Sequence, residues 1–191
     1  MKKILLVDAS FRGNSRTKEL TNYLLSKLDG EVTTLDLEKL NLSPLTNDEL
    51  NIRNIALENN DLSHPLFKEA KLFKDADLII ISTPYYDYSF SSLIKIFIEH
   101  INIDGITFKF TEKGEYKKMC KATDLIYVTT AGGNLLTQYG YEYIKDLAHT
   151  FYGIGNTHLI KAENLDIIGI DIAHQLDIAK KDIDELIKKI K

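Results

Sequence analysis

Unbroken apolar runs too short for helices, separated by stretches with helical spacing, constrain this chain more than any other feature. Ile4 to Val7, Leu78 to Ser82 and Leu125 to Thr129 contain no charge and no polar alternation. A run of four or five such residues reads as a strand buried on both faces, which requires a layer of helices on each side. Val32 to Leu37 and Thr157 to Ala162 supply two further strands, and the first, being more polar, is placed nearer a sheet edge. Leu20, Leu24 and Leu28 recur at a spacing of four, one face of a helix. Helices are also expected over Leu66 to Phe73, Ser91 to Ile103 and Leu136 to Phe151. A closing helix rests on Ile172, Leu176, Ala179, Ile183, Leu186 and Ile190. The Asn-rich stretch from Asn41 to Asp61, with Pro44, reads as a loop and a short helix. The expected architecture is α/β: a three-layer, doubly wound, five-stranded parallel sheet. With no repeat, low-complexity tract or linker, residues 1–191 are expected to form one domain.

Charge and cysteine content narrow the function classes. A net charge of −4 leaves no electrostatic footprint for nucleic acid or an anionic membrane. Cys120 is the single cysteine, so the chain is not a disulfide scaffold. The apolar start Ile4 to Val7 ends at Asp8, too short for a signal segment, and no run approaches the roughly 18 apolar residues of a membrane span. A soluble cytoplasmic protein is expected.

Open α/β sheets bind ligands at the carboxyl ends of their strands, near the topological switch point. Loops 9–17, 83–90 and 129–135 follow the first, third and fourth strands and are therefore expected to converge. The first offers hydroxyls at Ser10, Ser15 and Thr17 with the cation Arg16, and it opens a helix. Free amides and the macrodipole at a helix start favour an anion, though the dipole supplies only ~0.3–1 kcal/mol when exposed. Alternatively Ser15 or Asn14 is only a helix cap. GxxxxGK[ST], GxGxxG and GxSxG are all absent.

The second loop places Pro84, Tyr85, Tyr86, Asp87 and Tyr88 directly after the most apolar run. Pro84 ends the strand, and three tyrosines in four residues suit a flat ring system; the alternative is tyrosines packed beneath a dimer contact. Thr130, Ala131, Gly132 and Gly133 form a third loop whose glycines let backbone approach a ligand closely, or simply make a strand-to-helix turn. The five histidines show no metal-ligand spacing, so no metal is expected. Cys120, with no CxxC, is expected to be inert.

These loops, with Leu93-Ile94-Lys95-Ile96-Phe97-Ile98 and Gly105-Ile106-Thr107-Phe108-Lys109-Phe110-Thr111-Glu112-Lys113-Gly114, resemble the flavodoxin-like FMN-dependent NAD(P)H oxidoreductases of the azoreductase and quinone reductase group. The resemblance covers nearly the whole chain. It implies that Ser10, Ser15, Arg16 and Thr17 hold the FMN phosphate. Tyr85 to Tyr88 would cradle the isoalloxazine, and Thr130 to Gly133 would contact its pyrimidine end. It further implies ping-pong hydride transfer from NADH or NADPH to quinones, azo or nitroaromatic compounds, with no separate catalytic residue. Asp87 departs from the family's usual Asn, and Arg16 from a neutral polar residue.

The helix at 91–103 is apolar on more than one face, which predicts a homodimer across it. Phe108, Phe110 and Tyr116 are then expected to line the substrate pocket. The competing readings are a flavodoxin-type electron carrier, a phospho-receiver module using Asp8, and a non-catalytic scaffold. The second is weakened by Ser82-Thr83 where a phosphoacceptor Asp belongs.

Overall fold

The three uncharged runs lie side by side in the centre of one parallel sheet. In the computed structural model, which describes residues 1–190, the order of elements is β1 (Lys3–Asp8), α1 (Arg16–Ser26), β2 (Glu31–Asp36), α2 (Leu37–Leu40), α3 (Asn47–Glu58), a 3-10 turn (Pro65–Phe67), α4 (Lys68–Asp75), β3 (Leu78–Ser82), α5 (Ser92–Ile101), β4 (Phe108–Phe110), β5 (Tyr116–Lys118), β6 (Asp124–Thr130), α6 (Tyr139–Leu147), a wider π turn (Ala148–Tyr152), β7 (Asn156–Ala162) and α7 (Ile172–Ile190). The sheet runs β2-β1-β3-β6-β7, all parallel, with Leu6 opposite Ile80 and Ile80 opposite Ile126. The chain moves out from β1 to β2 and then crosses back to β3, so the switch point lies between β1 and β3.

Alternation within the central strands explains why they read as continuously apolar. Leu5, Val7, Ile79, Ile81, Leu125 and Tyr127 face one layer, with Phe73, Phe97, Ile98 and Ile144 of α4, α5 and α6. Their neighbours Ile4, Leu6, Leu78, Ile80, Ile126 and Val128 face the other, with Leu20 and Leu24 of α1 and Ala179 and Ile183 of α7. Successive side chains point to opposite faces, and both faces are covered. β2 is the polar edge strand, with its first four residues exposed.

Three expectations about elements are corrected. Leu37 opens α2 instead of ending β2, because Asp36 caps the turn through Lys39 N at 3.4 Å. α3 is longer than a short helix; Thr46 and Glu49 form a capping box that starts it within the Asn-rich stretch. α6 begins at Tyr139, not Leu136, because the preceding amides are committed elsewhere: Leu135 N to Glu163 Oε1 at 2.6 Å and Thr137 N to the Tyr85 hydroxyl at 3.3 Å. The β4-β5 hairpin was not anticipated. It packs on the π turn, which Gly153 terminates at φ +82; a Cβ there would collide with the Lys118 side chain.

At the amino end of β6, burial opposes ionisation of Asp124, but hydrogen bonds with His158 and Thr123, both 2.8 Å, outweigh it and hold its carboxyl below the ordinary value. A carboxyl depressed in the folded state contributes stability above its unfolded pKa and loses it as pH falls through the folded one. Asp124→Asn is therefore expected to be less stable than the parent near neutrality, with the gap closing below about pH 4. Urea titrations across pH check this.

Candidate functional site

Sheet hydrogen bonding continues beyond the last strand residues and draws the loops together. Ala9 N donates to Ser82 O at 2.8 Å, Thr83 N to Val128 O at 3.0 Å, Tyr85 N to Thr130 O at 3.0 Å, and Ala131 N to Ala162 O at 2.9 Å. The result is a crevice of about 450 Å³ at the carboxyl edge, within the range of small-molecule sites. Ser10, Ser15, Arg16, Thr17, Pro84, Tyr85, Tyr86, Thr130, Ala131 and Gly132 line it, whereas Asp87, Tyr88 and Gly133 do not.

One end gathers hydrogen-bond donors at the start of α1. Ser15 caps α1 by accepting from Lys18 N at 3.2 Å, which leaves its hydroxyl hydrogen free. The amides of Arg16 and Thr17, the first helical residues, have no backbone partner. Ser10 plays another part: its N–H and hydroxyl both donate to the buried Asp8 carboxylate, fixing the loop. Thr17 and Thr130 share a hydroxyl hydrogen bond at 2.6 Å, tying α1 to β6. Arg16 Nη1 meets Asp166 Oδ1 at 2.6 Å.

Leu165 and Asp166 were not anticipated by sequence. They lie on the loop after β7, where Asp166 N donates to Gly132 O at 2.9 Å and Leu165 N to Ala131 O at 3.2 Å. A Cβ on Gly132 would run into the Asp166 carboxylate, so a larger residue there would push that side chain away from Arg16. No local motif marks Asp166, because its role depends on a contact 150 residues away.

The other end is aromatic. Tyr86 and Ser89 exchange both backbone hydrogen bonds, at 2.9 and 2.8 Å, around Asp87 at φ 48 and Tyr88 at φ 68. This is a two-residue turn with both central residues left-handed. Aspartate tolerates that conformation far better than tyrosine does. Tyr88 is held there by its carbonyl, which accepts from Thr137 Oγ1 at 3.1 Å, and by its ring against Tyr85 at 6.5 Å. Tyr86 stays in the crevice, facing Phe11 at 6.3 Å. Asp87 turns toward a second cavity of about 580 Å³, lined with it by Phe11, Glu38, Tyr86, Phe90 and the start of α5.

Phe108, Phe110 and Tyr116 sit apart on the β4-β5 hairpin. Phe151 stacks on Tyr116 at 4.4 Å and lies 4.8 Å from Phe108, and none of the three lines either cavity. Phe110 and Tyr116 remain exposed. His64 accepts from Leu66 N, His100 bonds Ser43 O and His158 bonds Asp124. Burial pushes the Cys120 thiol up to about 12, which suppresses the reactive thiolate.

Because left-handed backbone is required at 87, Asp87→Asn and Asp87→Gly are expected to keep parental stability within ~0.5 kcal/mol, whereas Asp87→Val costs about 1–2 kcal/mol. Chemical denaturation of the three variants checks this.

The family described as having a flavodoxin-like fold matches residues 2–191. An FMN-dependent NADH:quinone oxidoreductase of Coprothermobacter proteolyticus is 30% identical over 202 residues, spanning 99% of this chain and 100% of the relative. FMN-dependent NADH:quinone oxidoreductase 2 of Clostridium acetobutylicum is 30% identical, spanning 90% of this chain and 91% of its own. Among solved structures, an azoreductase from Bacillus anthracis strain Sterne superposes with a TM-score of 0.84 at 18% identity, covering both chains fully. An FMN-dependent NADH-azoreductase from Bacillus anthracis strain Ames Ancestor, in complex with FMN, gives 0.80 at 16% identity, covering 100% of this chain and 99% of that one. At such identity the two structures speak for the fold.

Proposed function

The chain belongs to the flavodoxin-like fold family, and we propose that it is an FMN-dependent NADH:quinone oxidoreductase that also reduces azo and nitroaromatic compounds. One observation carries this reading: a single crevice joins an anion-binding helix start to a tyrosine-walled end at the sheet's switch point. The names of relatives that match nearly end to end support it.

The donor set suits FMN. The amides of Arg16 and Thr17, the Ser15 hydroxyl and the Arg16 guanidinium present hydrogens to a phosphate dianion. Tyr85 and Tyr86 wall the place of the ring, and the Gly132 amide, the one N–H of that loop segment without a backbone partner, is left for its edge. When bound, FMN supplies two-electron transfer, with the overall balance NADH + H+ + quinone → NAD+ + hydroquinone. Donor and acceptor take turns on the open side of the crevice, the ping-pong order. NADPH is a second donor to be tested. A flavodoxin-type carrier would bind the flavin equally well without oxidising NADH.

The same reading includes a homodimer across α5. Leu93 and Ile96 are half-buried on its outer part, and Phe110 and Tyr116 stay exposed on the hairpin. Phe108, Phe110 and Tyr116 then line the substrate pocket from the partner side. Light scattering of the eluting protein should give twice the chain mass; a monomer at micromolar concentration counts against this part.

Purification, flavin release and chromatography, followed by NADH and NADPH oxidation against a quinone panel, test the function. The absence of both flavin binding and NADH oxidation would sink it. Arg16→Ala is expected to weaken FMN binding about tenfold or more, since hydrogen bonds to charged groups contribute ~1.5–3 kcal/mol. Flavin fluorescence titration of the flavin-free protein reads that change.

A further inference from the structure

We infer that Arg12 recognises the pyrophosphate of NADH and so distinguishes the anionic electron donor from neutral acceptors at one shared crevice. The inference rests on the oxidoreductase reading above and adds a specificity-determining residue to it.

Charge comes first. The crevice lining holds two cations, Arg12 and Arg16, and one carboxylate, Asp166. Arg16 is paired with that carboxylate at 2.6 Å and stands at the first position of α1, beside the amides that suit a flavin phosphate. Cations on the neighbouring elements are also engaged: Lys18 lies 3.7 Å from Asp8, and Lys161 pairs with Glu163 at 2.6 Å. Arg12 is exposed and, among the described residues, its side chain pairs with no carboxylate. It is the crevice cation left without a counter-ion.

Placement comes second. Ser15 N donates to Arg12 O at 3.1 Å, closing a turn that fixes the Arg12 backbone just before α1. The side chain leaves that turn toward the aromatic end, where its guanidinium carbon lies 6.0 Å from the centre of the Tyr86 ring. That distance is the outer limit of a cation–π contact, so the group stays free to meet an anion. Phe11 and Tyr86 belong to the walls of both cavities, and beyond them stand the exposed carboxylates Glu38 and Asp87. An anion carried by a ring on the open side of the crevice therefore meets attraction at Arg12 and repulsion past Tyr86. NADH carries such an anion, its pyrophosphate, on the reactive nicotinamide; menadione carries none. The planar guanidinium fork matches phosphate oxygens with two parallel N–H donors. Donor and acceptor take turns at the same place, and Arg12 acts on one of them.

The test compares NADH with N-benzyl-dihydronicotinamide, a hydride donor with the same ring and no phosphate, using flavin-loaded protein and menadione. In Arg12→Gln the ratio of kcat/KM, NADH over the benzyl compound, should fall about fivefold, the effect of one unit charge about 4 Å from an anion in a water-like dielectric. The loss should lie in KM for NADH, with kcat and the menadione kcat/KM unchanged. Arg12→Lys, which keeps the charge, should restore most of the ratio. The gap between parent and Arg12→Gln should close as salt rises and the screening length falls. Tetrahydro-NAD, which gives no hydride, supplies a binding readout through the flavin absorbance of the loaded protein; its Kd should rise about fivefold in Arg12→Gln. A donor ratio and a Kd that are both unchanged in Arg12→Gln overturn the inference. So does a loss of FMN affinity as large as that in Arg16→Ala, which assigns Arg12 to the flavin phosphate instead. If neither donor is oxidised by the flavin-loaded protein, the oxidoreductase reading fails, and the tetrahydro-NAD titration alone then decides whether Arg12 holds a pyrophosphate.

Discussion

Every buried backbone amide needs a partner, and at the carboxyl edge of this sheet that requirement organises the site. The ladder does not stop with the strands. Ala9, Thr83, Tyr85 and Ala131 donate to the neighbouring strand beyond the regular pairing, and Asn164, Leu165 and Asp166 donate back to Gly133, Ala131 and Gly132. Four loops are thereby fixed to one another by main chain before any side chain is counted. Side-chain ties such as Thr17 to Thr130 and Thr21 to Ser82 then hold α1 against the same edge. The start of α1 is positioned by the sheet itself.

Much of this was legible in the sequence, for a physical reason. Strands buried on both faces cannot alternate, so Leu78 to Ser82 is marked by composition alone, and its bounds agree with β3 residue for residue. The three loops converge because parallel topology leaves them no other end of the sheet. What stayed hidden depended on distance or on local competition. Asp166 acquires its role only by meeting Arg16. The start of α6 was misplaced because Glu163 and Tyr85 capture amides that the sequence alone leaves to the helix. The hairpin was missed because its strands are three residues each, exposed, and stabilised mainly by rings stacking on Phe151.

The turn at Asp87 and Tyr88 shows how strain is distributed. Two consecutive left-handed residues without a glycine are costly, and here Thr137 supplies the compensation from a different loop, bonding both the Tyr88 carbonyl and the Tyr85 hydroxyl. The turn re-aims three consecutive side chains: Tyr86 into the crevice, Asp87 toward the second cavity, and Tyr88 onto Tyr85. The departure from asparagine at 87 thus sits where backbone conformation is the first demand and side-chain chemistry the second.

The pair between Arg16 and Asp166 has a further meaning for how the crevice is loaded. Asp166 acts as a built-in counter-ion. An anion arriving at Arg16 would displace a carboxylate that is itself 71% exposed and well hydrated once released. Loading is then an exchange of one anion for another and not the capture of a bare cation. A phosphate dianion would bring one charge more than the carboxylate it displaces, and the fixed amides of α1 would reward its tetrahedral array of oxygens, so charge and shape would select it together over a carboxylate or chloride.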